Sequence, residues 1–262
     1  MRRIKRTKDF DVSLEIKNPD FIAPPRESQR RWLVNRALAD LACDLEALDV
    51  VSRGFVRGDE IASFEGRAER PMGHDEIMED WQRPLMKAMS QIAGESGGDV
   101  LEVGFGLGVS ATFIQRLGVR SHTIIECNDS VVEWLREWQR DYPDRDIRLV
   151  HGLWQDTIGA LGTFDSIFFH TYPVSEEEAV EHVSSNVTYA EHFFASAAAH
   201  LDDGGVFTYM TNEIDSLSRA HQRALFKQFS SVSLQVLESL EVPPNTRDAW
   251  WADRMVLVKA VK

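Results

Sequence analysis

The stretch that decides the fold is DVLEVGFGLGVSATFIQRL, Asp99 to Leu117. Its first five residues are a short apolar run with β character, the next five a turn carrying Gly104, Gly106 and Gly108, and the remainder a helix with its apolar residues on one side. Strand, glycine turn and helix in that order bring a backbone close to a ligand, with the helix N-terminus beyond it favouring polar or anionic groups. The spacing is GxGxG, and Val109 stands where a dinucleotide fingerprint wants its last small residue, which argues against a nicotinamide cofactor. A turn of this kind is also compatible with no ligand at all, so partners are needed elsewhere in the chain.

Working outward, the alternation continues. HTIIE is the next strand and DSVVEWLREWQRDY the next helix, with Asp129 as its expected N-cap. IRLV, FDSIFF and GVFTYM read as further strands, TYAEHFFASAAAHL as a helix, and Met78–Ile92 as an amphipathic helix upstream. SLQVLESL and RMVLVKAVK form two last strands with no long helix between them, an antiparallel hairpin closing one sheet edge. The fold expected is α/β: a Rossmann-like, doubly wound, mostly parallel sheet with an antiparallel C-terminal strand. Residues 1–70 differ, with a basic start (Arg2, Arg3, Lys5, Arg6, Lys8), a turn-rich NPDFIAPP and a helical pattern from Glu27 to Leu48. They read as a helical N-terminal extension and linker, and 71–262 as the ligand-binding domain. The apolar face of that helix would dock on the main domain or form a homodimer contact.

Composition narrows the function. The 262 residues carry 42 acidic and 29 basic side chains, a formal charge of -13, which opposes nucleic-acid binding. The basic start reads as a solvated tail, since no signal-peptide core follows it. No run approaches the ~18 apolar residues of a membrane span. Cys43 and Cys127 fit neither a disulfide framework nor a metal site, and a reducing cytoplasm suits them.

The partners of the glycine turn lie at three strand ends. Glu126 follows Gly104 by 22 residues, near the ~20-residue offset at which an acid in such folds reaches ribose hydroxyls. Gly152, Leu153 and Trp154 follow IRLV, where an adenine ring fits between apolar side chains. His170 ends FDSIFF and precedes Thr171, Tyr172 and Pro173, at the crevice edge of a central strand. With a reference pKa of ~6.5 it suits base work near neutrality, or else it positions a substrate by hydrogen bonding. Tyr172 would bond the substrate or cap the pocket. Tyr209 and Asn212 sit at a further strand end, where they would contact the other end of the substrate, and Trp250 and Trp251 are in reach of a covering role.

Taken in order, LEVGFGLG, IIECND, GLWQD, HTYP and the upstream EDWQRPLM resemble guanidinoacetate N-methyltransferase and its relatives, within the class I S-adenosylmethionine-dependent methyltransferases. The likeness covers Met78 to Tyr209. It implies S-adenosyl-L-methionine held by Glu102, Gly104, Gly106, Gly108, Glu126, Asn128, Gly152, Leu153 and Trp154, with Gln82, His170 and Tyr172 on the acceptor side and no metal. It also implies carboxylates at two positions where this chain has none: the family's glutamate and aspartate, which grip a guanidinium, are Gln82 and His170 here. A desolvated guanidinium needs paired carboxylates. The expected acceptor is therefore a small molecule, neutral or anionic. A guanidino-compound or protein arginine methyltransferase, and a non-catalytic binding protein, are the alternatives.

Overall fold

The computed structural model describes residues 5–6, 12–16, 64, 66–179, 181–182, 188–211, 213, 216–243 and 254–262. The helical pattern over 27–48, Asn212 and the tryptophans at 250 and 251 lie outside these residues.

Among the described residues nine strands form one sheet: β1 Lys5–Arg6, β2 Val12–Ile16, β3 Asp99–Val103, β4 Ser121–Glu126, β5 Ile147–His151, β6 Phe164–Phe169, β7 Leu201–Thr211, β8 Ser231–Leu237 and β9 Met255–Val261. Their order is β1-β2-β8-β9-β7-β6-β3-β4-β5. The five strands from β7 to β5 run parallel, while β9 is antiparallel to both β7 and β8. This is the expected doubly wound sheet with its antiparallel closing hairpin, the class I methyltransferase arrangement. Two strands were not foreseen. β2 pairs antiparallel with β8 and β1 with β2, so part of the basic start read as a solvated tail extends the sheet edge.

The pleat sorts the core. Leu101 and Val103 of β3, Ile167 and Phe169 of β6, and Phe207 and Tyr209 of β7 face one side, packed with Phe193 and Phe194. Val100, Phe168 and Leu257 face the other, against Leu85, Met86 and Met89 of helix α1, Arg83–Ala93. Such two-sided burial is why the central strands read as nearly continuous apolar runs. Pro84 falls in the first turn of α1, where its missing N–H costs nothing. Helix α2, Val109–Arg116, starts from Gly108, which is left-handed at φ 70°. Helix α3, Asp129–Gln139, is capped by Asn128, not Asp129: the Asn128 side chain accepts from the Ser130 and Val131 amides. The stretch expected as one helix from Thr188 splits into a 3-10 turn, Tyr189–Phe193, and helix α4, Phe194–Ala199. Helix α5, Arg219–Leu225, was not anticipated.

The strand order reverses between β3 and β6, and their carboxyl ends open a crevice there, where doubly wound sheets bind ligands. Among the described residues no helix is long and apolar enough to cross a membrane, and no group of three histidine, cysteine or carboxylate side chains is placed to hold a metal ion.

Candidate active site

Four loops meet at that edge: those following β3, β4, β5 and β6. Backbone bonds continue the ladders into them, from Gly104 N to Ile125 O (2.9 Å), from Gly152 N to Glu126 O (2.9 Å) and from His170 N to Val103 O (3.1 Å). Gly104 has φ 90°, and a Cβ there would lie 2.3 Å from the His170 carbonyl oxygen. Only glycine lets the β3 turn and the β6 loop approach so closely.

Two joined cavities result. The larger, about 700 Å³, is lined by Gly104, Gly106, Glu126, Asn128, His170 and Tyr172 together with Arg67, Met72 and Met78. The smaller, about 330 Å³, is lined by Gly152, Leu153 and Trp154, with Tyr189 and Glu178. Gly104, Glu126 and Cys127 border both. The structure thus assembles most of the sequence-predicted residues, but four stand elsewhere. Glu102 is fully buried and lines neither cavity. Period-two alternation puts it on the Val100 face of β3, beneath α2, where it accepts from Ser110 Oγ and lies 2.9 Å from His122 Nε2. It braces the glycine turn from below. Gly108 starts α2 and likewise faces neither cavity. Gln82 is 1% exposed and reaches the cleft through Tyr172, to whose hydroxyl its amide donates at 3.1 Å. Tyr209, considered as a substrate contact, is instead buried in the core with its hydroxyl on His221 Nε2.

Glu126 organises the junction. Its Oε2 accepts from Phe105 N (2.9 Å) and its Oε1 from Cys127 N (2.8 Å) and Asn128 N (2.9 Å), tying the β3 and β4 loops together. A carboxylate has about four acceptor sites, so three bonds leave Oε2 capacity for one more donor at the cavity junction. Asn128 lines the cavity, yet its carboxamide serves the protein: Nδ2 donates to the carbonyls of Arg67 (2.7 Å) and Arg70 (2.8 Å). The 66–70 turn is thereby strapped over the cleft. The sequence around it reads as a linker, which gives no sign of Arg67 at the cleft. Its guanidinium lies 5.7 Å from the Tyr172 ring centre, and its Nη2 donates to the Glu76 carbonyl at 2.7 Å.

Burial sets the protonation states. It pushes the Cys127 thiol up to about 12, with the Glu126 charge adding to the effect, so this cleft cysteine carries no thiolate at neutral pH. It pushes the His170 imidazole down to about 4. His170 Nε2 is sealed from solvent with no hydrogen-bond partner among the described residues, and its ring meets Tyr172 edge-on at 5.6 Å. The sequence suggested a base titrating near neutrality. The structure gives a neutral imidazole.

That difference has a measurable sign. Between its unfolded value of ~6.5 and its folded value of about 4, His170 binds a proton in the unfolded chain and not in the folded one, so its contribution destabilises the fold as pH falls through this window. The melting temperature of the protein is expected to drop more steeply from pH 7 to 4.5 than that of His170→Gln. Parallel curves would show that His170 is not held neutral.

A model of the guanidinoacetate N-methyltransferase family matches residues 65–240, about two thirds of the chain. The chain belongs to that family. It is a class I S-adenosylmethionine-dependent methyltransferase. Protein arginine N-methyltransferase 2 of Candida glabrata is 30% identical over 120 residues, covering 41% of this chain and 28% of that protein. The protein of the same name from Yarrowia lipolytica is 29% identical over 148 residues, covering 52% and 28%. The chain therefore spans little more than a quarter of the length of these curated relatives. Among solved structures, an O-methyltransferase from Bacillus cereus in complex with SAH has a TM-score of 0.45 at 17% identity, covering 93% of this chain and 94% of that one.

The cavities fit this family's methyl donor. The remaining acceptor capacity of Glu126 suits a ribose hydroxyl, the Leu153–Trp154 side is apolar enough for a purine, and the glycine turn at the start of α2 suits a polar tail.

Proposed function

We propose that this protein methylates a small-molecule acceptor that is neutral or anionic, and that it does so in the cytoplasm. One observation carries the reading of the acceptor. At the two positions where the family resemblance implies carboxylates, this chain presents Gln82, bonded to Tyr172, and His170, held neutral by burial, and among the described residues the Arg67 guanidinium lies beside them on Tyr172. A second guanidinium brought there would be desolvated without its paired anions and beside a like charge. A carboxylate, phenol or hydroxyl would meet hydrogen-bonding groups and a favourable field.

The donor, when bound, supplies an already activated methyl group. The chain then has to hold the nucleophile in line, keep water out and receive one proton. The strap at 66–70 and the Met72 and Met78 side chains line the cleft on the side where water has to be kept out. His170, which lines the larger cavity as a neutral imidazole, is the side chain we assign to orienting the nucleophile's N–H or O–H. With its proton affinity lowered by burial, it works best on acceptors that are themselves readily deprotonated.

The family name, and the names of the arginine methyltransferase relatives, favour a guanidino acceptor as the second reading. A panel with labelled donor separates the two. Carboxylic acids, phenols, hydroxyl compounds and thiols are set against guanidinoacetate, arginine and arginine-containing peptides. Transfer within the first group and none to the second is the expected result. Robust transfer to guanidinoacetate or arginine would overturn the proposal.

A further inference from the structure

We infer that Glu178 recognises the adenine of the methyl donor, accepting a hydrogen bond from its exocyclic amine. The smaller cavity meets the larger at Glu126 and Gly104, so a donor whose ribose sits at that junction extends its two ends into different cavities. The polar tail goes to the glycine turn. The purine goes to the side walled by Leu153 and Trp154, where Trp154 is fixed edge-on against Phe193 at 4.9 Å. Besides Glu126, the carboxylate lining this side is Glu178.

Glu178 is built into its place. The side chain is 13% exposed; Oε2 accepts from Val174 N at 2.9 Å, and Oε1 from the Tyr189 hydroxyl at 3.1 Å and from Gln155 Nε2 at 3.4 Å. These three bonds leave acceptor capacity, since a carboxylate takes about four. No cation compensates it: among the described residues its one basic neighbour within ion-pair distance is His192, 3.9 Å away. Burial lowers the pKa of that imidazole, and its Nε2 is itself buried with no hydrogen-bond partner among the described residues. A largely buried carboxylate stabilised only by neutral donors gains from one more N–H. Adenine brings an amine, while hypoxanthine, identical in outline, brings a carbonyl oxygen that would face the carboxylate lone pairs.

The inference predicts base discrimination that one substitution reverses. Calorimetric titration with S-adenosylhomocysteine and with its inosine counterpart is expected to show the wild-type protein preferring adenine by ~10- to 100-fold, the range for a hydrogen bond to a charged group. Glu178→Gln puts an N–H donor beside the base, so it should weaken the adenine ligand, strengthen the inosine ligand and collapse or invert the ratio. A general loosening of the cavity would lower both affinities and keep the ratio. An unchanged ratio in the variant overturns the assignment, as does a raised acceptor KM with donor affinity intact, which would make Glu178 an acceptor-side group. If the variant does not fold, the wild-type measurement still decides: equal affinity for the two ligands means that no carboxylate reads the amine.

Discussion

Replacing Gln82 with Glu and His170 with Asp in the same chain is expected to raise the rate of guanidinoacetate methylation, as kcat/KM, by ~10²- to 10⁴-fold over the unmodified protein. The estimate takes two charge-assisted hydrogen bonds to a desolvated cation at about 1.5–3 kcal/mol each. The positions are suited to it. His170 already lines the larger cavity, and Gln82 lies one hydrogen bond behind Tyr172, so a carboxylate at either site would act on the same space. Arg67 opposes the gain, because its guanidinium rests on the ring of Tyr172 between the two. The low end of the range is therefore the better expectation for the double variant. Each single variant should gain much less, since one carboxylate leaves half of the fork unpaired. Donor affinity, measured separately, should stay within a few-fold of the wild type. If guanidinoacetate turnover in the double variant remained at the wild-type level while donor binding was intact, the acceptor would not sit against Gln82 and His170, and the charge argument for a neutral or anionic substrate would lose its footing.

How much of this was legible beforehand depends on the range of the interaction that places each residue. The doubly wound sheet could be read because β3, β4 and β6 each carry apolar residues in their carboxyl half, buried on both faces, and because the glycine turn is a local feature. Glu126 and Leu153–Trp154 follow from the same logic, as strand ends fix their positions along the chain. Glu102 could have been set aside by alternation alone, since it shares a face with Val100 and not with Leu101 and Val103; the motif outweighed the pleat. Asn128 and Asp129 are both good capping residues, and only the structure shows which one turns its oxygen to the helix amides. Arg67 and Glu178 were out of reach. One comes from a charged stretch strapped into place by Asn128, the other from an acidic triplet that reads as a solvated helix turn, and each is held in the cleft by a residue outside its own segment, Asn128 for Arg67 and Gln155 for Glu178. The His170 proton affinity was misjudged for a related reason: a strand-end position gives location, but not the enclosure that removes solvent from the ring. The short strands β1 and β2 join the sheet through pairing with β8, more than two hundred residues away, which no local periodicity encodes.

Donor binding is expected to depend on Glu126 more than on any other side chain, and the two substitutions that test it should differ in kind. Glu126→Ala removes the acceptor for three backbone amides, at Phe105, Cys127 and Asn128, and for a ribose hydroxyl. Each buried amide left without a partner costs about 1–3 kcal/mol, so this variant should lose stability as well as affinity, with the β3 and β4 loops coming apart. Glu126→Gln is the sharper probe. Its single oxygen can still serve Cys127 and Asn128, the two amides that share Oε1, which preserves the β4 loop. Its NH₂ group then faces Phe105 N donor against donor and meets the ribose with a neutral N–H where a carboxylate had accepted, so the glycine turn is pushed away from the junction at the point where the ligand must enter. The fold should survive with a modest fall in melting temperature, while affinity for S-adenosylhomocysteine falls by ~100-fold or more, the sum of a lost charge-assisted bond and a newly unpaired amide. Calorimetry on both variants, read beside their melting curves, separates the two effects. Affinity in Glu126→Gln within ten-fold of the wild type would mean that the carboxylate serves the loops alone and that the ribose is held by other groups.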